Sequence, residues 1–148
     1  MTPTSISALR EEFRKAILAV SPTFDRYQDL PWAYVHRPAD AKGGSPRTFT
    51  LSATPGVAED PGTAVYGGGI SYEYTQEVLV NYGALPIEDD EQIIDEDARD
   101  LWTALLSVQS TVSGLIDVEA PEWETDPDAQ DGNIFGSYVF NVRYFGRN

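Results

Sequence analysis

The stretch "ISYEYTQEVLVNYGAL" constrains the fold more than any other part of the chain. Tyr72, Tyr74, Gln76, Val78, Val80 and Tyr82 fall on one side of an extended backbone, and Glu73, Thr75, Glu77, Leu79 and Asn81 fall on the other. This alternation predicts a long strand with one buried and one wet face, ended by Pro86 in "GALP". Such a strand needs neighbours to pair with and a layer to cover its apolar side. In "RTFTLSAT", Phe49, Leu51 and Ala53 alternate with Thr48, Thr50 and Ser52. In "FGSYVFNVRYFGRN", Tyr138, Phe140, Val142 and Tyr144 alternate with Val139, Asn141, Arg143 and Phe145. A further strand is predicted in "LIDVEAPEWET", with Leu115, Asp117 and Glu119 on one face and Ile116 and Val118 on the other, and "WAYVH" is a candidate short strand.

Two helical stripes supply the cover. From Pro3 to about Val20, Ile6, Leu9, Phe13, Ile17 and Val20 recur at separations of three or four, which places them on one helix face. Thr2-Pro3 suits the cap and first turn, Glu11 and Lys15 an i,i+4 ion pair, and Ser21-Pro22 the stop. In "EDDEQIIDEDARDLWTALLSV", Ile94, Ala98, Leu101, Leu105 and Val108 predict an amphipathic helix of about five turns. Asp89 or Asp90 is the expected cap, and Glu91, Asp95, Glu96 and Asp97 sit in early turns, where the helix dipole favours negative charge. The acidic run therefore reads as a water-facing helix start and not as a metal cage or catalytic dyad. The element order α-β-β-α-β-β predicts an α+β fold, a mostly antiparallel sheet of about four strands with two helices packed on one face. At 148 residues the chain suits one domain, residues 1–148.

Charge excludes several function classes. The chain holds 10 basic and 24 acidic residues, a net of −14. Residues 1–47 carry seven Arg or Lys and five Asp or Glu, which leaves 3 − 19 = −16 for residues 48–148. A surface this negative repels phosphate backbones and anionic lipid, so tight nucleic-acid or membrane binding is not expected. No apolar run approaches the roughly 18 residues of a membrane span. Arg10, Glu11, Glu12, Arg14 and Lys15 interrupt any leader-like apolar segment, so the protein is expected in the cytoplasm that made it. Cysteine is absent and His36 is the only histidine, which removes thiolate chemistry and histidine metal clusters. Gly67, Gly68 and Gly69 lack the Lys and Ser/Thr of a phosphate loop. "DPDAQDGNIFG" fails as a calcium loop: counted from Asp126, position six is Asp131 where glycine is required, and position twelve is Ser137 where glutamate is required. It reads instead as a turn between strands. Glu122 and Glu124 beside Trp123 have the composition of a sugar site with paired acids but no placed partner. No catalytic, metal or cofactor residue is assigned, and the chain reads as non-enzymatic.

Taken together, the N-terminal helix, "RTFTLSAT", a long hairpin into "EVLVNYGALP", the helix "IIDEDARDLWTALL", "GLIDVE" and the closing "YVFNVRYFG" resemble the tail terminator (tail completion, head-to-tail joining) proteins of long-tailed bacteriophages. The pattern I-x-x-D-A-x-x-L-W followed by F-x-V-x-Y carries most of the resemblance. It implies a virion protein of the tail–neck junction, assembled in the bacterial host cytoplasm. It further implies a homohexameric ring that sits on the last ring of the tail tube, halts tube polymerisation and meets the head connector or stopper, while DNA passes through without tight binding. Six copies would hold 6 × −14 = −84 formal charges. In such a ring the Gly-rich hairpin supplies candidate interface residues Glu59, Asp60, Val65, Tyr66, Gly67, Gly68 and Gly69. Glu88, Asp89, Asp90, Glu91, Asp126 and Asp128 are candidates for an acidic surface facing a lumen or solvent. Three other readings stay open: a head-side neck or stopper protein, a free-standing module binding a small ligand or peptide among Tyr72, Tyr74, Tyr138 and Tyr144, and a hydrolase with paired carboxylates.

Overall fold

The computed structural model describes residues 2–36, 47–58, 69–84, 87–127 and 133–147. Its elements are α1 (Ile6–Leu18), β1 (Ala33–Tyr34), β2 (Thr48–Ala58), β3 (Gly69–Asn81), α2 (Ile87–Ser107), β4 (Leu115–Val118), β5 (Glu122–Pro127) and β6 (Ile134–Arg147). The long alternating segment forms β3, and its neighbours are β2 on one side and β6 on the other, both antiparallel. Because β3 occupies one side of β6 from Phe135 to Arg147, β4 and β5 share the other side, β4 against Val142–Tyr144 and β5 against Ile134–Val139. The sheet order is β1-β2-β3-β6-β4, with β5 beside β6.

Among the described residues the sheet thus has six strands where about four were expected. "LIDVEAPEWET" is not one strand but two, β4 and β5, broken at Ala120-Pro121, where proline has no N–H to give to a ladder. "WAYVH" contributes only the two-residue β1, which runs parallel to the start of β2. "DPDAQDGNIFG" is not all turn, since Asp126 and Pro127 close β5.

The predicted stripes of both helices face the same side of the sheet. From α1, Leu9, Phe13 and Ile17 are fully buried, and from α2, Ile93, Ile94, Ala98, Leu101 and Leu105 join them. They meet Tyr74, Val78 and Val80 of β3 and Tyr138, Phe140 and Val142 of β6 in one cluster. Truncating a side chain such as Phe13 here costs about 3–5 kcal/mol through lost burial and the cavity left behind.

The helix ends differ in detail from expectation. The cap of α1 is Ser5, whose Oγ accepts from the Ala8 N–H at 3.2 Å. Thr2-Pro3 does not start the helix because Thr4 is held extended, its N–H donating to the Phe145 carbonyl at 2.8 Å. Glu11 pairs with Arg14, and Glu12 with Lys15, so the expected Glu11–Lys15 pair is replaced by two i,i+3 pairs. α2 starts at Ile87, which places Asp89 and Asp90 inside the first turn and not at the cap; its 21 residues make about six turns.

Candidate functional site

The middle of the sheet face away from the helices is mostly polar, while Thr48, Thr50, Ser71, Asn81 and Phe145 toward its ends are buried. Residues opposite each other in register share a face, so the ladder fixes which side chains are neighbours there. Glu77 lies between Ser52 of β2 and β6: the Ser52 hydroxyl donates to one carboxylate oxygen at 3.1 Å and the Ser137 hydroxyl to the other at 2.9 Å. Glu73 faces Arg143, and Arg143 faces Asp117 across its other side. The Asn141 amide donates to Glu119 at 3.3 Å. Glu122 and Glu124 oppose Val139 and Ser137, which puts them on this face as well. Six carboxylates (Glu73, Glu77, Asp117, Glu119, Glu122 and Glu124) therefore spread over one sheet surface together with the guanidinium of Arg143.

The residues singled out in the sequence are dispersed. Glu59, Asp60, Val65, Tyr66, Gly67, Gly68 and Asp128 lie outside the described residues. Gly69 is the first residue of β3, buried and paired with Arg147; a Cβ there would come within 2.1 Å of the Phe145 ring, so its lack of a side chain serves packing. Glu88, Asp89, Asp90 and Glu91 occupy the start of α2, where Glu91 is exposed. Asp89 is not part of an open acidic surface in the protomer. The turn at Asp25–Tyr27 packs against it, Arg26 Nη1 donates to it at 2.9 Å and the Tyr27 hydroxyl at 3.2 Å, leaving the Asp89 side chain 6% exposed. Asp126 sits in β5 opposite Phe135. The Trp123 and paired-acid composition does not converge: Trp123 opposes Tyr138, which puts it on the helix-bearing face, while Glu122 and Glu124 are on the other. Tyr74 and Tyr138 belong to the core. Tyr72 and Tyr144 stack at 5.4 Å beside an open cleft of about 550 Å³ that Pro3, Ser5, Ala8 and Arg147 complete. His36 is exposed, its ring edge-on to Tyr34 at 5.3 Å.

Sequence reasoning missed a buried polar network under the N-terminal half of α2. Arg47 and Asp97 are both fully buried and form an ion pair at 3.1 Å. The Arg47 guanidinium also donates to the carbonyls of Tyr27 at 2.7 Å and Leu30 at 3.3 Å and lies 5.8 Å from the centre of the Trp32 ring, so it ties the proline-rich connector to α2. Its backbone is left-handed, φ 63°. The Tyr82 hydroxyl donates to Asp97 at 2.8 Å and lies 2.5 Å from the Tyr138 hydroxyl, which in turn donates to the Ile94 carbonyl at 3.2 Å. Burial pushes the Asp97 carboxyl up to about 6, and Arg47 and Tyr82 draw it partly back. Burial also holds both tyrosine hydroxyls well above their ordinary range. A signal was present: Asp97 falls three residues after Ile94 and directly before Ala98, on the apolar stripe itself.

The I-x-x-D-A-x-x-L-W pattern is thus mostly core: Ile94, Asp97, Ala98 and Leu101 are buried, and the Trp102 indole N–H donates to the Val118 carbonyl at 2.9 Å. No protein-family model matches the chain, and no curated protein matches its sequence. Among the described residues, no group of three or more His, Asp or Glu side chains is placed to hold a metal ion, and no helix is long and apolar enough to cross a membrane.

Proposed function

We propose that the chain is a non-catalytic assembly subunit that forms a ring, of the kind found in phage tail terminators, with its acidic sheet face turned to a wide aqueous channel. The observation that carries this reading is the division of the sheet into a face sealed by two helices and a face whose middle presents six carboxylates, four of them exposed. A channel wall of carboxylates suits the passage of a phosphate polymer, because like charge prevents the counterion-releasing contacts through which nucleic acid sticks to protein. The resemblance carried by Ile94, Asp97, Ala98, Leu101 and Trp102 supports the same reading, and it names the partners: the tail tube protein below and the head connector or stopper above. Sedimentation of the purified chain, with negative-stain imaging of the chain mixed with tail tubes, tests it. Rings, and tubes capped at one end, are the expected result; a protein that sediments as a monomer at every concentration and leaves tube length unchanged overturns it.

A second reading rests on the cleft beside Tyr72 and Tyr144. Two stacked rings next to the Arg147 side of β6 suit a small ligand or peptide on a free-standing monomer. A monomer that binds such a ligand, with binding lost in Tyr72→Ala, favours that module over the ring.

A further inference from the structure

The two edges of the sheet are complementary in strand direction and in the face that each aims at the other. β1 covers β2 only at Thr48 and Phe49, with one further bond from the Val35 N–H to the Phe49 carbonyl. From Leu51 onward β2 has no strand on its outer side among the described residues. The opposite edge, β5, pairs among the described residues with β6 alone. An edge strand with unmet N–H and C=O groups invites another chain unless charge, proline or a bulge blocks it. β5 carries acids and a closing proline, Glu122, Glu124, Asp126 and Pro127, and β2 a bulge between Pro55 and Ala58, yet β5 also presents Trp123, which is 46% exposed.

β2 runs antiparallel to β3, β3 to β6, and β6 to β5, so β5 runs opposite to β2. Copies placed head to tail in one orientation therefore bring β5 of one beside β2 of the next as an antiparallel pair. Trp123 shares the helix-bearing face with Tyr138, and Leu51 shares it with Val78. In such a junction Trp123 meets the inward-facing row of β2. That row opens there into a cleft of about 210 Å³ lined by Arg10, Glu11, Arg14, Tyr34, His36 and Leu51. The Arg14 guanidinium already stacks 5.6 Å from the centre of the Tyr34 ring, a setting for a second aromatic ring. The cleft holds the guanidinium groups of Arg10 and Arg14, with Glu11 paired to Arg14, so it offers cationic groups to the face of an aromatic ring.

We propose that Trp123 of one copy seats in the Arg10–Arg14–Tyr34–Leu51 cleft of the next, with β5 extending the neighbour's sheet beside β2. The inference rests on the ring reading and names the contact that builds the ring. A buried aromatic anchor at the centre of an interface carries a large share of its affinity. Trp123→Ala and, separately, Arg14→Glu are measured by sedimentation equilibrium, with far-UV circular dichroism as the check on folding. Each is expected to weaken association at least tenfold. The chain has no cysteine, so a mixture of Thr125→Cys, exposed on the same face as Trp123, and Arg10→Cys proteins treated with a short bis-maleimide reports the contact with Trp123 in place. Covalent mixed dimers are expected well above the yield from either protein alone. Rings that form with unchanged affinity in Trp123→Ala, or that give no excess of mixed dimer, overturn this contact and leave the ring reading standing. A wild-type chain that is monomeric at every concentration overturns both.

Discussion

Asp97 and Glu77 are carboxylates on opposite sides of one sheet, and they have little else in common. Asp97 is buried on the sheet side of α2 with Arg47 and Tyr82 as partners, and Tyr138 meets it only through Tyr82. Glu77 is held by two serine hydroxyls on a half-exposed surface with other acids around it. The first is a positioning group whose charge matters because nothing screens it; the second contributes to a field that solvent and salt largely absorb. In this chain, then, the count of acids says little about structure, and the location of a single one says a great deal.

The contrast is sharpest if one partner of the buried pair is removed. Arg47→Met leaves Asp97 a buried carboxylate without its counter-ion and is expected to cost about 3–5 kcal/mol at pH 7 by urea denaturation. A loss below about 1 kcal/mol, the range of exposed pairs, would erase the distinction.

Acid titration is the next largest effect. Asp97 holds its proton in the folded state to about pH 6, against 3.8 for a free side chain. Its contribution to stability is therefore fully present below pH 3.8 and is lost as pH rises through about 6. Relative to Asp97→Asn, the wild type should lose on the order of 3 kcal/mol between pH 4 and pH 7. Parallel pH profiles for the two proteins would contradict this.

Tyr138→Phe removes the hydroxyl shared between Tyr82 and the Ile94 carbonyl and should cost about 1–2 kcal/mol, since both partners stay buried. Glu77→Gln, on the open face, should change stability by no more than about 0.5 kcal/mol. If Glu77→Gln costs as much as Tyr138→Phe, the open face is structural and the comparison between the two regions fails.

What could be read from the sequence follows from periodicity. The stripe Leu9, Phe13, Ile17 and the alternation through β3 are local patterns, and they predicted which faces are buried, since burial repeats with the element; in β6 the alternation marked two faces, and Phe145 of the set opposite the core is buried as well. Asp97 was read with its acidic neighbours as solvent-facing because a charge on an apolar stripe is explained only by its partner, and Arg47 lies 50 residues away. Asp89 was misread for the same reason, its partner Arg26 being distant in sequence. The split into β4 and β5 was legible in Pro121, but which strand each would join was not, because pairing is decided by the distant β6. The acidic face could be anticipated for β3 alone. Its extent depends on register across β2, β6, β4 and β5, which no single segment encodes.

β6 is the strand that β3, β4 and β5 all require, and it comes after every one of them in the chain. During synthesis the β2–β3 hairpin must wait, one side of β3 unpaired, while more than fifty residues are added before its mate exists. Folding of this sheet is accordingly a late, non-local event, slow by the measure of sequence separation and exposed meanwhile to capture by the wrong edge. Lowering the rate at which nascent chains meet one another, by cooler growth or weaker expression, should raise the soluble yield without any change to the folded protein.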